Sequence, residues 1–367
     1  MSRFTNRIYL FFFCATLWMA PPVYGEKAIP PTPVPSLITS LHLAKPHDFC
    51  GESVPMKHPE VKERFEKEFL LNLWDRPQVI LWLKRSKCYL APIERLLRQH
   101  GLPDDLKYVA VAESALRPHA GSRKGAMGFW QFMKETGERY GLRINRHIDE
   151  RRSLIASTQA AIRYFKDLYA EFGSWTLAAA AYNMGEKGMM AEILEQQTDN
   201  YYQLYLPLET QRFLFRILSI KQVFQSPETF GFKLKPGDYY RLPASETVTV
   251  TSTGDVPIRL LAQAAKTRFK VIKDLNPEIR GYYLGPGNYK IQVPKGAGSG
   301  FEKRYKGALK DAADGKSKRI YVVRPGDSLS AIAREFKVPL AALIIWNRID
   351  PTHPIHPGDR IIVRPGE

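Results

Sequence analysis

Two patterns of apolar and polar positions divide the chain near residue 230. Between about residues 57 and 230, apolar residues recur with the three- and four-residue spacing of amphipathic helices. After Pro227, strand-like stretches such as 248–250 and 291–293 alternate with short helical stretches. The pattern predicts an α+β multidomain chain, in which a mainly helical domain over residues 47–230 precedes small modules of the order strand, helix, helix, strand.

The region after residue 230 contains two units of the same predicted order, over residues 248–296 and 320–365. Turn and strand positions recur between the two units at matched spacing, which indicates an internal repeat. The matched pairs are Gly254-Asp255 with Gly326-Asp327, Asn276 with Asn347, and Pro286 with Pro357. The polar stretch 297–319 between the units carries seven basic residues and predicts a flexible basic linker.

The first 25 residues have the three-part layout of a secretory signal peptide. Arg3 and Arg7 precede an apolar run over residues 8–20, and small residues follow it. The run is shorter than the roughly 20 apolar residues that cross a bilayer, so a cleaved signal is favoured over an uncleaved anchor. The Pro-rich segment 26–46 predicts an extended tether. We therefore expect an exported protein of the periplasm or cell envelope.

The charge balance is strongly basic, with 54 Lys and Arg against 37 Asp and Glu and a formal net charge of +17. Such a charge favours polyanionic partners, which include nucleic acid, anionic lipid and acidic polymers. Export weighs against nucleic acid and favours the acidic polymers of the envelope. Cys14 lies in the signal, and the remaining Cys50 and Cys88 favour one disulfide over two buried free thiols in an oxidising compartment.

A helix predicted over residues 104–117 places a carboxyl group on its apolar face. Four residues fall on one face of the 3.6-residue period: Leu106, Val109, Ala110 and Glu113. A carboxyl desolvated there has a raised pKa, and a carboxylic acid that keeps its proton near neutral pH suits general acid catalysis. The alternative is an ordinary Glu113–Arg117 ion pair on the helix surface, and the helix taken alone favours it.

Two later segments carry groups suited to an N-acetylated sugar. The glycine-rich turn within residues 125–132 leads into aromatic residues and Gln131, and glycine permits close approach of the backbone to a ligand. An Ala-rich helix ends at Tyr182-Asn183, where an ordinary helix cap is the alternative. Aromatic rings and amides together match the apolar faces and acetamido groups of such sugars.

Taken together and in this order, three motifs resemble the family 1 lytic transglycosylases, which cleave peptidoglycan and have a goose-lysozyme-like fold. The motifs are Glu113-Ser114, Gly128-Phe129-Trp130-Gln131 and Ala181-Tyr182-Asn183, within a matching stretch of about residues 90–225. Within the family, the chain is similar to the membrane-bound members that carry C-terminal sugar-binding repeats. Residues 320–365 resemble a LysM module, and residues 248–296 look like a degenerate copy of it.

The resemblance implies a single catalytic acid and base, Glu113, together with several groups that bind the substrate. The implied substrate-binding residues are Ser114, Ser122, Gln131, Tyr182 and Asn183. Ser114 is also expected to orient the catalytic helix. Glu209-Thr210 resembles a further motif of the family, although Phe213 stands where relatives usually carry tyrosine.

The resemblance further implies non-hydrolytic cleavage between N-acetylmuramic acid and N-acetylglucosamine, which leaves a 1,6-anhydromuramoyl end. Glu113 would protonate the glycosidic oxygen and then take the proton of the C6 hydroxyl that attacks C1. The two-carboxylate scheme of other glycosidases has no motif-borne second acid here, since Asp149 and Glu150 are candidates by sequence proximity alone. Two alternatives stay open, a hydrolytic muramidase and an inactive murein-binding scaffold.

The expected partners are peptidoglycan strands and, at the LysM module, glycans that contain N-acetylglucosamine. We expect a monomer that uses no cofactor and no metal. His353 and His356 form a close histidine pair, but two ligands fall short of the three or four that zinc takes. Membrane attachment, endo- or exo-cleavage and the preference for peptide stems stay open.

Overall fold

A computed structural model gives the structure of residues 34–45, 48–313, 319–350 and 354–364. The predicted signal peptide lies outside these residues. The part of the chain before residue 230 is mainly helical, as its apolar period predicts, and the part after it combines short two-stranded sheets with further helices. The predicted α+β class is confirmed. Among the described residues, no helix has both the length and the apolar composition that crossing a bilayer requires.

Nine helices and a small hairpin build the first domain within the described residues. The helices are α1 (Leu37–Leu43), α2 (Pro59–Trp74), α3 (Arg76–Gln99), α4 (Lys107–Ser114), α5 (Lys134–Arg139), α6 (Leu154–Phe172), α7 (Trp175–Met184), α8 (Glu186–Gln196) and α9 (Leu208–Gln225). The hairpin pairs β1 (Asp48–Phe49) with β2 (Glu52–Ser53). Helix α9 packs against α2, α4 and α7 in the centre of this domain.

Small side chains let the central helix α7 approach its neighbours closely. Ala178 to Ala181 are all at most 1% exposed, and α6 and α9 lie against them. Ser174 caps the start of α7 by accepting a hydrogen bond from the Leu177 amide. The Glu52 carboxylate accepts bonds from the Trp175 and Thr176 amides. A negative charge at the N-terminus of a helix interacts favourably with the positive end of the helix dipole, and here it also links the hairpin to α7.

The second module consists of a two-stranded antiparallel sheet covered by helices. Its main strands are β3 (Ser245–Ser252) and β6 (Gly287–Pro294), with the shorter pair β4 (Val256–Pro257) and β5 (Tyr283–Leu284). The helices α10 (Ile258–Ala264) and α11 (Phe269–Leu275) follow β4. Buried Val250, Ile291 and Val293 of the sheet share one apolar cluster with Ile258, Leu261 and Ile272 of the helices.

The third module repeats this order with its own small core. Strand β7 (Arg319–Val322) pairs antiparallel with β8 (Arg360–Arg364), and α13 (Leu329–Glu335) and α14 (Leu340–Asn347) lie between them in sequence. Asn276 of the second module and Asn347 of the third make the same three side-chain hydrogen bonds to a helix carbonyl and a strand backbone. The matched asparagines of the repeat therefore lock helix to strand in both modules.

The prediction of a flexible linker over residues 297–319 is wrong for most of that stretch. Residues Phe301–Ala313 form helix α12. Phe301, Tyr305 and Ala308 are buried in the cluster of the second module, on one face of the helix. Their spacing of four and three residues is an apolar stripe, which the surrounding lysines and arginines obscured in the sequence.

The prediction of an extended tether over residues 26–46 is wrong for residues 37–43, and residues 26–33 and 46 lie outside the described part of the chain. Residues Leu37–Leu43 form α1, and the Ser36 hydroxyl accepts a hydrogen bond from the Thr39 amide at its start. A serine cap can begin a helix directly after a Pro-rich run because proline restricts only itself and the residue before it.

The disulfide favoured by the sequence is not formed, since Cys50 and Cys88 are both free thiols. The Cys50 amide donates to an oxygen of Asp105 at 2.8 Å. The Cys88 thiol donates instead to the carbonyl of Tyr240 at 3.1 Å. The two cysteines therefore serve separate contacts. Burial raises the pKa of the Cys50 thiol, which makes it a poor nucleophile.

Asp255 joins all three parts of the structure. Its side chain is 11% exposed and forms ion pairs with Arg146 of the first domain, at 3.3 Å, and Arg348 of the third module. Its other carboxylate oxygen lies 3.4 Å from Nε2 of His147. Beside this centre, the Arg348 guanidinium lies 4.0 Å from the centre of the Tyr283 ring. One carboxylate therefore holds the second and third modules against the first domain.

We expect Asp255→Asn to loosen the third module, because two arginines lose their shared carboxylate while the side chain keeps its size. Hydrogen–deuterium exchange should become several-fold faster in the segments around Tyr283 and Arg348. The matched control is Asp311→Asn, which removes one exposed acid from α12. Equal exchange in the two variants would contradict the role of Asp255.

Candidate active site

Glu113 lies in the last turn of α4, which ends three residues earlier than predicted. The helix stops at Ser114 because Ala115 and Leu116 both adopt the left-handed conformation, with φ of 53° and 57°. This conformation costs a non-glycine residue roughly 1–2 kcal/mol. Burial of Leu116 and a hydrogen bond from Arg85 to the Ala115 carbonyl at 3.2 Å hold the turn in place.

The Glu113 carboxyl is desolvated, as its place on the apolar face predicts. Burial raises its pKa from the ordinary 4.5 to about 8, against the opposing charge of Arg216 and with a further contribution from Glu209. The alternative Glu113–Arg117 ion pair is not formed, since the exposed Arg117 donates to the Ser114 carbonyl at 3.1 Å. The acid therefore keeps its proton at neutral pH.

Tyr182 of α7 lies close enough to Glu113 for the carboxylate charge to raise the tyrosine pKa, with burial as the larger cause. The hydroxyl of Tyr182 donates to the Trp130 carbonyl at 2.6 Å. Its ring stacks on Phe165 with 4.7 Å between centroids and an angle of 4° between planes. Tyr182 thus links α6 and α7 to the loop that carries Gln131.

Asn183, the next residue, is oriented from α9. Its Oδ1 accepts a hydrogen bond from the Thr210 hydroxyl at 2.9 Å. Thr210 is 2% exposed, so this bond is shielded from water. Because Oδ1 is committed to this bond, the amide nitrogen of Asn183 is the group of this side chain that is left to donate a hydrogen bond.

The loop over residues 120–132 is fixed by its glycine and its glutamine. A Cβ at Gly128, which has φ of 83°, would lie 1.8 Å from the Arg151 carbonyl oxygen, so no other residue fits. The Gln131 amide nitrogen donates to the carbonyls of Ala120 at 3.0 Å and Gly128 at 2.9 Å. The Ser122 hydroxyl accepts from the Ala126 amide at 3.0 Å and closes the exposed tip of the loop.

The motif aromatics point inwards, which corrects the expectation that they meet the sugar. Phe129 and Trp130 are 1% and 0% exposed, and the Trp130 indole donates to the Thr158 hydroxyl at 3.0 Å. Ser114 is 2% exposed and donates to the Ala110 carbonyl at 2.9 Å, one turn back in the same helix. Ser114 therefore stabilises α4 from inside, and the expectation that it contacts a substrate does not fit its burial.

A charged network near Glu113 was missed by the sequence analysis. Buried Glu68 of α2 accepts from Arg212 of α9 at 2.5 Å and lies 3.7 Å from Arg216, which pairs with Glu209 at 2.9 Å. The four-residue spacing of the two arginines on one helix was the available indication. The network fixes the charges that act on the Glu113 pKa.

Asp149 and Glu150, the candidates for a second acid, are both paired with arginines. Asp149 is 2% exposed, and both its oxygens accept bonds from Arg151 at 2.8 Å. Burial acts to raise the Asp149 pKa, but these bonds outweigh it and the pKa lies below its usual value. Glu150 pairs with Arg143 at 2.7 Å. Neither carboxylate is placed as a partner of Glu113.

No group of three or more His, Cys, Asp or Glu side chains in the described part of the chain is placed to hold a metal ion. His353 lies outside the described residues, so the predicted absence of a site at the histidine pair is not tested.

Comparison with known proteins identifies two domains. The model of the transglycosylase SLT domain matches residues 91–204, which contain every predicted site residue, and the LysM domain model matches residues 321–364. Membrane-bound lytic murein transglycosylase D of Escherichia coli (strain K12) is 29% identical over 335 residues, which cover 87% of this chain and 72% of that protein. The same values hold for the protein of that name from Escherichia coli O6:H1.

Among solved structures, an inactive mutant of the lytic transglycosylase Slt from Pseudomonas aeruginosa matches with a TM-score of 0.32 and 16% identity. The match covers 56% of this chain and 32% of that one, so this chain spans about a third of the solved protein.

The desolvated acid makes folding stability depend on pH. The folded protein binds the Glu113 proton up to about pH 8, whereas the unfolded chain releases it near 4.5. The stabilising contribution is therefore full below pH 4.5 and is lost as the pH rises to about 8. We expect Glu113→Gln to raise the melting temperature by an amount that grows between pH 4 and pH 8 in calorimetry.

The control for this measurement is Glu195→Gln, which alters an exposed carboxyl of α8. Its effect on the melting temperature should not follow the same pH course. A difference between wild type and Glu113→Gln that stays constant over this range would show that the carboxyl is solvated.

Proposed function

With a transglycosylase SLT domain over residues 91–204 and a LysM domain over residues 321–364, this chain is a lytic transglycosylase, and we propose that it cleaves peptidoglycan strands without water. The bond cleaved joins N-acetylmuramic acid to N-acetylglucosamine, and the product carries a 1,6-anhydromuramoyl end. The observation that carries this proposal is the desolvated, protonated carboxyl of Glu113 at the end of a buried helix.

In the first step, Glu113 donates its proton to the glycosidic oxygen, and the bond between this oxygen and C1 breaks. The N-acetyl oxygen of the substrate stabilises the positive charge that develops at C1. In the second step, the C6 hydroxyl attacks C1 and its proton passes to the Glu113 carboxylate. The carboxyl begins and ends protonated, which suits a group whose pKa is about 8.

The neighbouring carboxylates form ion pairs with arginines, and this supports a mechanism with one acid. Asp149 is held by Arg151, Glu150 by Arg143 and Glu209 by Arg216. Hydrolytic glycosidases place a second carboxylate as nucleophile or base. None of these three is free for that role, which supports attack by the substrate's own hydroxyl.

We assign the binding roles to the side chains that remain available. Asn183 presents its amide nitrogen, since Thr210 holds its oxygen. Tyr182, Gln131 and Ser122 shape the loop and helix end around it. The LysM domain binds glycan that contains N-acetylglucosamine and keeps the enzyme on the strand. The work takes place in the cell envelope, consistent with the predicted signal peptide over residues 1–25.

We expect Glu113→Gln to lower cleavage of purified murein by about 10²–10⁴-fold, because the amide can neither donate nor take the proton. Mass spectrometry of the products should show anhydromuramoyl ends with wild type. Glu195→Gln, the exposed control, should give the same products at the wild-type rate. Reducing muramic ends would indicate a hydrolytic muramidase, and no cleavage by wild type would favour an inactive scaffold.

The rate should also depend on pH through the protonated form of Glu113. Because the acid must enter the reaction with its proton, kcat/KM should be level below the pKa of about 8 and fall as the pH rises through it. A pH–rate profile on soluble murein fragments measures this directly. A fall in kcat/KM near pH 4.5, the ordinary pKa of a glutamic acid, would contradict a desolvated Glu113.

A further inference from the structure

A groove of about 890 Å³ lies between the first domain and the second module. Its volume is in the range of ligand-binding sites. The residues that line it do not include Glu113, Tyr182 or Asn183. The groove is therefore a second concave surface, separate from the candidate active site.

One wall is the outer face of the sheet formed by β3 and β6. Six polar residues at alternate positions of the two strands line it, and Tyr289 and Ile291 of β6 also border the groove. The polar residues are Ser245, Thr247, Thr249, Asn288, Lys290 and Gln292. The Gln292 amide donates to the Thr247 hydroxyl at 2.8 Å, so neighbouring polar groups on the two strands are already oriented. This wall offers hydroxyl and amide groups along the length of the sheet.

The opposite wall comes from the start of α6 and from α3, and it is more apolar. It includes Leu154, Ile155, Gln159 and Tyr89. Pro118 completes this side and belongs to the segment that follows the helix of Glu113, and the buried Phe129 only borders it from within. The groove thus continues from the loop that carries the Gly-Phe-Trp-Gln motif.

The two walls are held rigidly together. Ile148 of the first domain is 2% exposed and belongs to the apolar core of the second module, where it pairs with Ile279 in an antiparallel bridge. The Asp149 amide donates to the Glu278 carbonyl, and the Arg280 amide donates to the His147 carbonyl, both at 2.8 Å. The groove is therefore formed before any ligand binds.

The charges in the groove are nearly balanced. Arg143 pairs with Glu150, and Asp274 pairs with a lysine of its own helix. Glu278 lines the groove and makes no ion pair within the described part of the chain, and burial raises its pKa to about 7. With Lys290 on the opposite side, the surface has no excess of positive charge for a polyanion.

We propose that this groove is a second glycan site, which binds the uncharged sugar backbone of a murein strand beyond the bond cleaved at Glu113. Sugar rings present apolar faces to the wall of α6, and their hydroxyl and acetamido groups meet the polar sheet. The lack of net positive charge disfavours acidic peptide stems and nucleic acid. The proposal rests on the murein substrate assigned above.

The test titrates chitohexaose, a neutral oligomer of N-acetylglucosamine, into the full chain carrying Glu113→Gln, so that no cleavage occurs. The methyl signal of Ile155, a residue of the groove wall, reports binding locally by NMR. We expect a saturable shift. Thr247→Arg fills the groove and should weaken this binding by about tenfold or more, which corresponds to about 1.4 kcal/mol.

The matched control is Thr253→Arg, in the turn that follows the same strand. Both threonines are exposed, but only Thr247 lines the groove. Thr253→Arg should leave the titration unchanged. The added positive charge is equal in both variants, so a difference between them reports occupied space.

Several results would overturn the proposal. No Ile155 shift, equal titrations with both arginine variants, or a shift only with peptide-bearing fragments would each do so. An Ile155 shift that follows protein concentration without sugar would assign the groove to a second copy of the chain. Anhydro products without an Ile155 shift would contradict this groove alone, whereas reducing ends with the shift would contradict the proposed mechanism alone.

Discussion

Desolvation of a single carboxyl is the constraint on which the rest of this structure depends. Moving Glu113 out of water is unfavourable for its charged form, and the protein must provide that environment in every folded molecule. The environment comes from the packing of α4 against α9 and from the nearby Tyr182 of α7. Arg216 reduces the effect, and its partners Glu68 and Glu209 limit how far it does so.

The residues that define the site act mostly from inside the protein. Trp130 contributes its carbonyl, to which Tyr182 donates, while its indole is buried against Thr158. Gly128 contributes the space that lets the loop pass the Arg151 backbone. Such residues set the position of the few groups that a sugar can reach. A site that must hold its acid within fractions of an ångström needs this support more than it needs additional contacts.

Sequence alone could predict the class of the fold from local periodicity, whereas the assignment of Glu113 as the acid also needed the resemblance of three motifs to a known family. Leu106, Val109 and Ala110 fix the face on which Glu113 lies, and this required no knowledge of its neighbours. The end of that helix could not be predicted, since Ala115 and Leu116 have no local preference for the left-handed conformation. The inward direction of Phe129 and Trp130 is likewise a property of tertiary packing. The spacing of the apolar residues in α12 indicated a helix, but the basic composition of this segment suggested a linker instead.

The bridge between Ile148 and Ile279 limits how independently the first domain and the second module can evolve. The side chain of Ile148 lies inside the sequence range matched by the SLT domain, yet it is buried in the core of the following module. A recombination event that exchanged the second module would leave an apolar residue in water and the new module short of a core contact. The sequence range matched by the SLT domain therefore does not coincide with the limits of the apolar cores, because Ile148 belongs to the first domain by sequence and to the second module by packing. Evolution of the pair is therefore expected to proceed by paired changes on both sides of the bridge rather than by module exchange.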